Sequence, residues 1–257
     1  VRDLSRGIAI EMVVDRSSSM GAEMRWQGLR SNRLEAVKRV FADFIDGGGD
    51  LPGRPADLIG LITFARFPDT ICPLTLSHGT LEELIRTVKL VDQRSEDGTA
   101  IGDAIALAAA RLHNAEQELA RKAGRSEAPP DYEIKSKVVI LLTDGENNAG
   151  ERSVEQAAKL AADWGIRVYA IAVGDNKGLV TPFGVLNVPK QPGVDDAALR
   201  HLAESTGGVY RLAEASRTLP RLPRTVHAVR PGRPADGFRR GDPALDRFED
   251  DPMRRRR

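Results

Sequence analysis

The sequence predicts an α/β fold, a doubly wound, mostly parallel open sheet flanked by helices on both faces. Three observations carry that expectation. Near-continuous apolar runs of strand length recur along the chain, as in strands covered on both sides. Segments of helical period lie between them, and strand–helix alternation over about 200 residues is the pattern of a parallel sheet wound by right-handed crossovers. Oxygen-bearing turns stand at strand ends or helix starts, where such sheets place their ligands.

The first apolar run is Gly7 to Val14, rich in Ile and Val, and Asp57–Phe64, Lys137–Thr143 and Ile166–Val173 read the same way. Arg33–Ile45 sets Leu34, Val37, Val40, Phe41, Phe44 and Ile45 on one helical stripe, and Gly47-Gly48-Gly49 stops it. Leu81–Val88, Ala100–Leu119, Val154–Trp164 and Ala197–Glu204 are further helices, and Gly207–Leu212 reads as a last short strand. Glu127–Asp131, with two prolines, is expected to be a loop. Ala22–Asn32, which carries Trp26, is either a disordered insertion or part of a binding face. Residues 1–216 are read as one domain and 217–257 as an Arg/Pro-rich flexible tail with six of the 15 prolines.

At 257 residues and 41% apolar content the chain can bury a full core. Its net charge of +1 conceals an asymmetry. Residues 217–257 hold twelve Arg, no Lys and six acidic residues, whereas the remainder carries 26 basic against 31 acidic residues. Cys72 is the sole cysteine, which excludes an intrachain disulfide and a Cys-based zinc site, and the four histidines share no ligand spacing. No apolar run approaches the ~20 residues of a membrane helix.

Three segments carry the chemistry: Asp15-Arg16-Ser17-Ser18-Ser19, Asp97-Gly98-Thr99 and Thr143-Asp144-Gly145. If the strands ending near Asp15 and Asp144 flank the point where strand order reverses, both carboxylates share one crevice, and the turn at Thr99 closes it. Asp15, Ser17 and Ser19 offer three oxygens from one turn, Thr99 a fourth, and Asp144 binds directly or through water. Such an all-oxygen set suits Mg²⁺, which takes only one or two protein carboxylates and keeps waters. Each piece alone is also what a plain turn or helix cap looks like.

Taken together, Asp15-x-Ser17-x-Ser19, Thr99 and Asp144 resemble the metal-ion-dependent adhesion site of the von Willebrand factor A (VWA) domain. The resemblance spans roughly residues 7–213. Its closer form is to bacterial BatA-type, aerotolerance-related proteins, through Ser18-Ser19-Met20, Leu58–Phe64, Cys72-Pro73-Leu74-Thr75, Gly98–Gly102 and Leu141–Asn148. It implies a protein-binding module, not an enzyme, that holds Mg²⁺ (or Mn²⁺) and takes an Asp or Glu of a protein partner. It further implies work with a MoxR-type AAA+ ATPase and other VWA proteins. The segment itself is expected to be a soluble domain. Full-length relatives are implied to be anchored in the bacterial inner membrane by helices that this chain lacks.

The main rival is a metal-dependent phosphotransferase or hydrolase of similar topology. Such an enzyme needs a second carboxylate two residues after its nucleophilic Asp, and here that residue is Ser17. Nucleic-acid binding through Arg254–Arg257 is disfavoured by the preceding Glu249-Asp250-Asp251 and by few aromatics for stacking. His113 and Trp164 read as packing residues. Glu146, Asn147 and Asn148 either select a partner at the metal rim or cap the helix beginning near Ser153.

Overall fold

A computed structural model describes residues 5–26, 29–47, 53–123, 132–174, 179–181, 184–186 and 196–214. The strands are β1 (Ser5–Asp15), β2 (Glu23–Trp26), β3 (Leu29–Asn32), β4 (Leu58–Phe64), β5 (Pro68–Thr75), β6 (Tyr132–Thr143), β7 (Arg167–Gly174), β8 (Leu179–Thr181), β9 (Gly184–Leu186) and β10 (Tyr210–Glu214). The helices are α1 (Arg33–Asp46), α2 (His78–Thr87), α3 (Ile101–Ala123), α4 (Val154–Asp163) and α5 (Asp196–Ser205).

Six strands form the main sheet in the order β10-β7-β6-β1-β4-β5. Every neighbouring pair is parallel except β4–β5. From β1 the chain moves to β4 on one side and later returns to β6 on the other. β1 and β6 therefore flank the switch point, which is the condition for their ends to share one crevice. Period-two alternation along β1 sends Ile8, Ile10, Met12 and Val14 into a core with residues of α1 and α2. Ala9 and Val13 face the opposite core, built with α3, α4 and α5. Ala104, Ala108 and Ala109 let α3 lie close against that face.

Glu11 interrupts the alternation. It is fully buried, 3.4 Å from Arg111 Nε on α3, and burial pushes its carboxyl up to about 8 against the opposing pull of Arg111. Gly60 on β4 makes room for it, since a Cβ there would lie 2.4 Å from Glu11 Oε2.

Caps set the helix boundaries. The Asn32 side chain accepts from Glu35 N at 2.8 Å, and Ser153 with Gln156 forms a capping box for α4. α1 ends at Gly47 with φ of 82°.

Several elements depart from the sequence expectations. β5 was not anticipated: it is an antiparallel edge strand, and its Pro68 and Pro73 are tolerated because one side of it faces no ladder. β6 starts five residues before Lys137, because its outer half alternates exposed and half-buried residues instead of running continuously apolar. α2 starts at His78, ahead of Leu81. Within the stretch from Ala22 to Asn32, Glu23–Trp26 and Leu29–Asn32 pair antiparallel as β2 and β3, and Met24 is buried, so these residues are not a disordered insertion. The Trp26 side chain, Glu127–Asp131 and the tail 217–257 lie outside the described residues. His113 stacks on Trp164 with ring centroids 4.5 Å apart, the packing role expected of both.

Candidate metal centre

Asp15 is the last residue of β1, and Asp144 follows the last residue of β6. Parallel pairing of these strands brings Val14 opposite Leu142, so the two carboxylates emerge at one edge of the sheet. After Asp15 the chain turns into a 3-10 helix, Ser18–Gly21, whose Met20 is fully buried and plugs the loop into the core.

The five expected site residues come together. Asp15 Oδ1 accepts from Ser17 N at 2.8 Å, and its Oδ2 accepts from the Thr143 hydroxyl at 2.6 Å. Ser17 Oγ and Ser19 Oγ are 3.0 Å apart, and Ser19 Oγ donates to Asp144 Oδ1 at 2.7 Å. Thr99 sits across the Asp144–Gly145 turn, where a Cβ on Gly145 would lie 3.1 Å from Thr99 Oγ1. Ser17, Ser19 and Thr99 line an open cleft of about 490 Å³ together with Asn148, Arg66 and Arg94.

The loops that hold these groups are tied to one another. Asp97 accepts from Ser18 N at 3.0 Å and from Ser18 Oγ at 2.6 Å, and these bonds hold its carboxyl below the usual range. Gly98 adopts φ of +142°, a backbone angle that side chains disfavour, and so aims Thr99 at the crevice. Asn148 Oδ1 accepts from Thr99 N, and Asn148 N donates to Thr99 O. Asn147 Oδ1 accepts from Gly102 N in the first turn of α3. Asn147 and Asn148 thus fasten the Thr99 loop and α3. Neither is the cap of α4, which Ser153 supplies, and Asn148 also stands on the cleft rim.

Electrostatically the crevice asks for a cation. Asp15 is fully buried, its described partners are hydroxyls and backbone N–H, and burial, with a smaller push from Asp144, raises its carboxyl to about 7. A buried carboxylate without a cationic partner is costly, and a hard dication among oxygen donors relieves that cost. Among the described residues no group of three or more His, Cys, Asp or Glu is placed to hold a metal ion, so an ion here would rely on the Ser and Thr hydroxyls beside the carboxylates. The residues present fit a hard divalent ion.

One charged group in the site escaped the sequence reading. Arg33, the first residue of α1, places Nη1 2.5 Å from Asp144 Oδ2. A basic residue opening a helix opposes the helix dipole, and that is the signal that could have flagged it. Thr143 was visible in its motif, but its bond to Asp15 follows only from strand register.

The profile of the von Willebrand factor type A domain matches residues 10–222. The chain belongs to that family. Among solved structures this VWA domain is similar to the conserved hypothetical protein BatB of Bacteroides thetaiotaomicron, at 26% identity and a TM-score of 0.55, covering 82% of this chain and 92% of that one. An aerotolerance-related membrane protein of Bacteroides fragilis is 25% identical with a TM-score of 0.55, covering 81% and 92%. Proximal thread matrix protein 1 of the mussel byssus, in a structure with a zinc-occupied adhesion motif, is 25% identical with a TM-score of 0.52, covering 84% and 44%. An uncharacterized protein of Borreliella burgdorferi is 26% identical over 212 residues. That match covers 80% of this VWA chain and 54% of the relative, so the chain spans about half of that protein's length.

Proposed function

We propose that this VWA domain binds Mg²⁺ (or Mn²⁺) at Asp15, Ser17, Ser19, Thr99 and Asp144, and there captures an Asp or Glu side chain of another protein. The observation that carries this reading is the linkage Thr143–Asp15–Ser17–Ser19–Asp144 around a buried carboxylate, with Ser17, Ser19 and Thr99 lining an open cleft beside it. A bound ion would supply a Lewis-acidic position for one outside oxygen. The chain's own residues do the rest. Asp15 provides charge at the floor, Ser17 and Ser19 provide oxygens that add none, and Thr99 closes the far side. Arg66 and Arg94 on the cleft wall favour an acidic partner.

A binding module is favoured over an enzyme because Ser17 stands where a phosphotransferase would carry its second carboxylate. Every donor here is a hard oxygen, which suits Mg²⁺ or Mn²⁺, and the zinc in the mussel protein's adhesion motif makes zinc the competing ion to include in the titration. The similarity to BatB and to the aerotolerance-related membrane protein supports a BatA-type role alongside other VWA proteins, with a MoxR-type AAA+ ATPase as the partner to test. Among the described residues no helix is long and apolar enough to cross a membrane. The likeness to an aerotolerance-related membrane protein supports a place at the bacterial inner membrane.

Calorimetric titration of Mg²⁺ and Mn²⁺ into the wild type and Asp15→Ala tests the site. Binding by the wild type that is abolished in the variant is expected, followed by pull-down of the ATPase that chelation abolishes. Equal metal binding by both proteins would refute the assignment.

A further inference from the structure

Arg33 has no counterpart in the metal-site reading developed above. It lies at the start of α1, just after the β2–β3 hairpin, and its backbone N–H donates to Ala22 O at 3.2 Å. Its guanidinium contacts Asp144 Oδ2 at 2.5 Å, while Ser19 Oγ occupies Asp144 Oδ1 at 2.7 Å. The Asp144 side chain has no exposed surface and that of Arg33 is 18% exposed. Both oxygens of Asp144 are therefore already engaged, one of them by a full positive charge. The helix gains nothing from this cation, because its own N-terminal dipole repels it. The charge belongs to the site.

We propose that Arg33 is the built-in counter-cation of the site, neutralising Asp144 so that the metal-loaded centre keeps a net positive charge for an incoming carboxylate. The proposal rests on the metal reading given above. Asp15 and Asp144 alone would neutralise a dication completely and leave only Arg66 and Arg94 on the cleft wall to attract a further anion. With Arg33 in place, one positive charge remains, and a partner's Asp or Glu cancels it. The arrangement trades metal affinity for ligand affinity: Arg33 repels the ion it shares the crevice with and thereby strengthens the demand for an outside oxygen. It also orients the Asp144 carboxylate, which Ser19 and Arg33 hold from either oxygen.

The test is Mg²⁺ titration by calorimetry on the wild type, Asp15→Ala, Arg33→Gln and Arg33→Lys, with Mg²⁺ alone as the probe. Removal of the repelling charge in Arg33→Gln is expected to tighten Mg²⁺ binding about tenfold, an ordinary strength for one partly screened like-charge contact. Arg33→Lys, which keeps the charge, should bind Mg²⁺ as the wild type does. Should Arg33→Gln not fold, Arg33→Met removes the same charge while keeping a long side chain with an apolar stem in place. Its Mg²⁺ affinity is expected to tighten about tenfold on the same charge argument. Unchanged or weaker Mg²⁺ binding by the charge-removing variant would overturn the proposal. A wild type that binds no Mg²⁺ would instead refute the metal reading itself and this inference with it, so the two failures are distinguishable.

Discussion

The Thr143 hydroxyl donates to Asp15 Oδ2 across 2.6 Å, joining residues 128 apart in sequence at the ends of adjacent parallel strands. Both residues have no exposed surface, so this bond is the anchor of the buried carboxylate. Thr143→Val keeps the shape and removes the donor. A loss of about 2 kcal/mol in stability is expected, the usual scale for a hydrogen bond to a charged group, together with weaker Mg²⁺ binding. Chemical denaturation and calorimetry would check both. A variant as stable as the wild type would contradict the anchoring role.

Metal binding should depend on pH through Asp15. Burial raises its carboxyl to about 7, and only the ionised form serves a cation. Apparent Mg²⁺ affinity is therefore expected to rise by up to about tenfold per pH unit from pH 5 to 7 and then level off. Calorimetry in buffers of different ionisation enthalpy should show proton release at pH 6 and little at pH 8.5.

Glu11 makes a separate prediction for stability without metal. Its folded-state value, about 8, lies above its unfolded-state value, so between roughly pH 4.5 and 8 the folded protein holds a proton that the unfolded chain has lost. Stability must then fall as pH rises through this window, by up to about 1.4 kcal/mol per pH unit for one group. Glu11→Gln keeps the volume and cannot ionise. Denaturation should find it close to the wild type at pH 5 and clearly more stable at pH 9; a wild-type advantage at pH 9 would show that Arg111 stabilises the charged form.

Gly98 links the turn to the site. Its φ of +142° is strained for other residues, and an added Cβ would lie 3.0 Å from Ala149 Cβ. Gly98→Ala is expected to cost about 1–3 kcal/mol of stability and to weaken Mg²⁺ binding by displacing Thr99. Melting and titration of this variant would test that coupling. A stable protein with intact metal affinity would show that the loop tolerates another path.

Much of the architecture was legible because its strands are buried on both faces. Gly7–Val14 and Lys137–Thr143 read as strands since nearly all their residues are apolar, and α1 and α4 read as helices from their stripes. Where one face meets solvent the signal thins. The outer half of β6 and the edge strand β5, with its two prolines, went unseen for that reason. The hairpin β2–β3 has too few residues to show a period at all. Asn147 and Asn148 stood in a recognisable motif, yet their task of fastening α3 follows from loop contacts that no local pattern encodes.

By itself the sequence determined the doubly wound class and singled out the five residues proposed for the metal, because strand burial and oxygen chemistry are written into local residue types and spacing. Only the tertiary structure decided how those residues connect. It is the register of β1 against β6 that gives Asp15 its Thr143 partner, and the seating of α1 that sets Arg33 on Asp144. Glu11 is matched to Arg111 and to the space left by Gly60 in the same way. Contacts between distant segments depend on packing the whole chain at once, and a charge's meaning in a crevice depends on which other charges the fold delivers there.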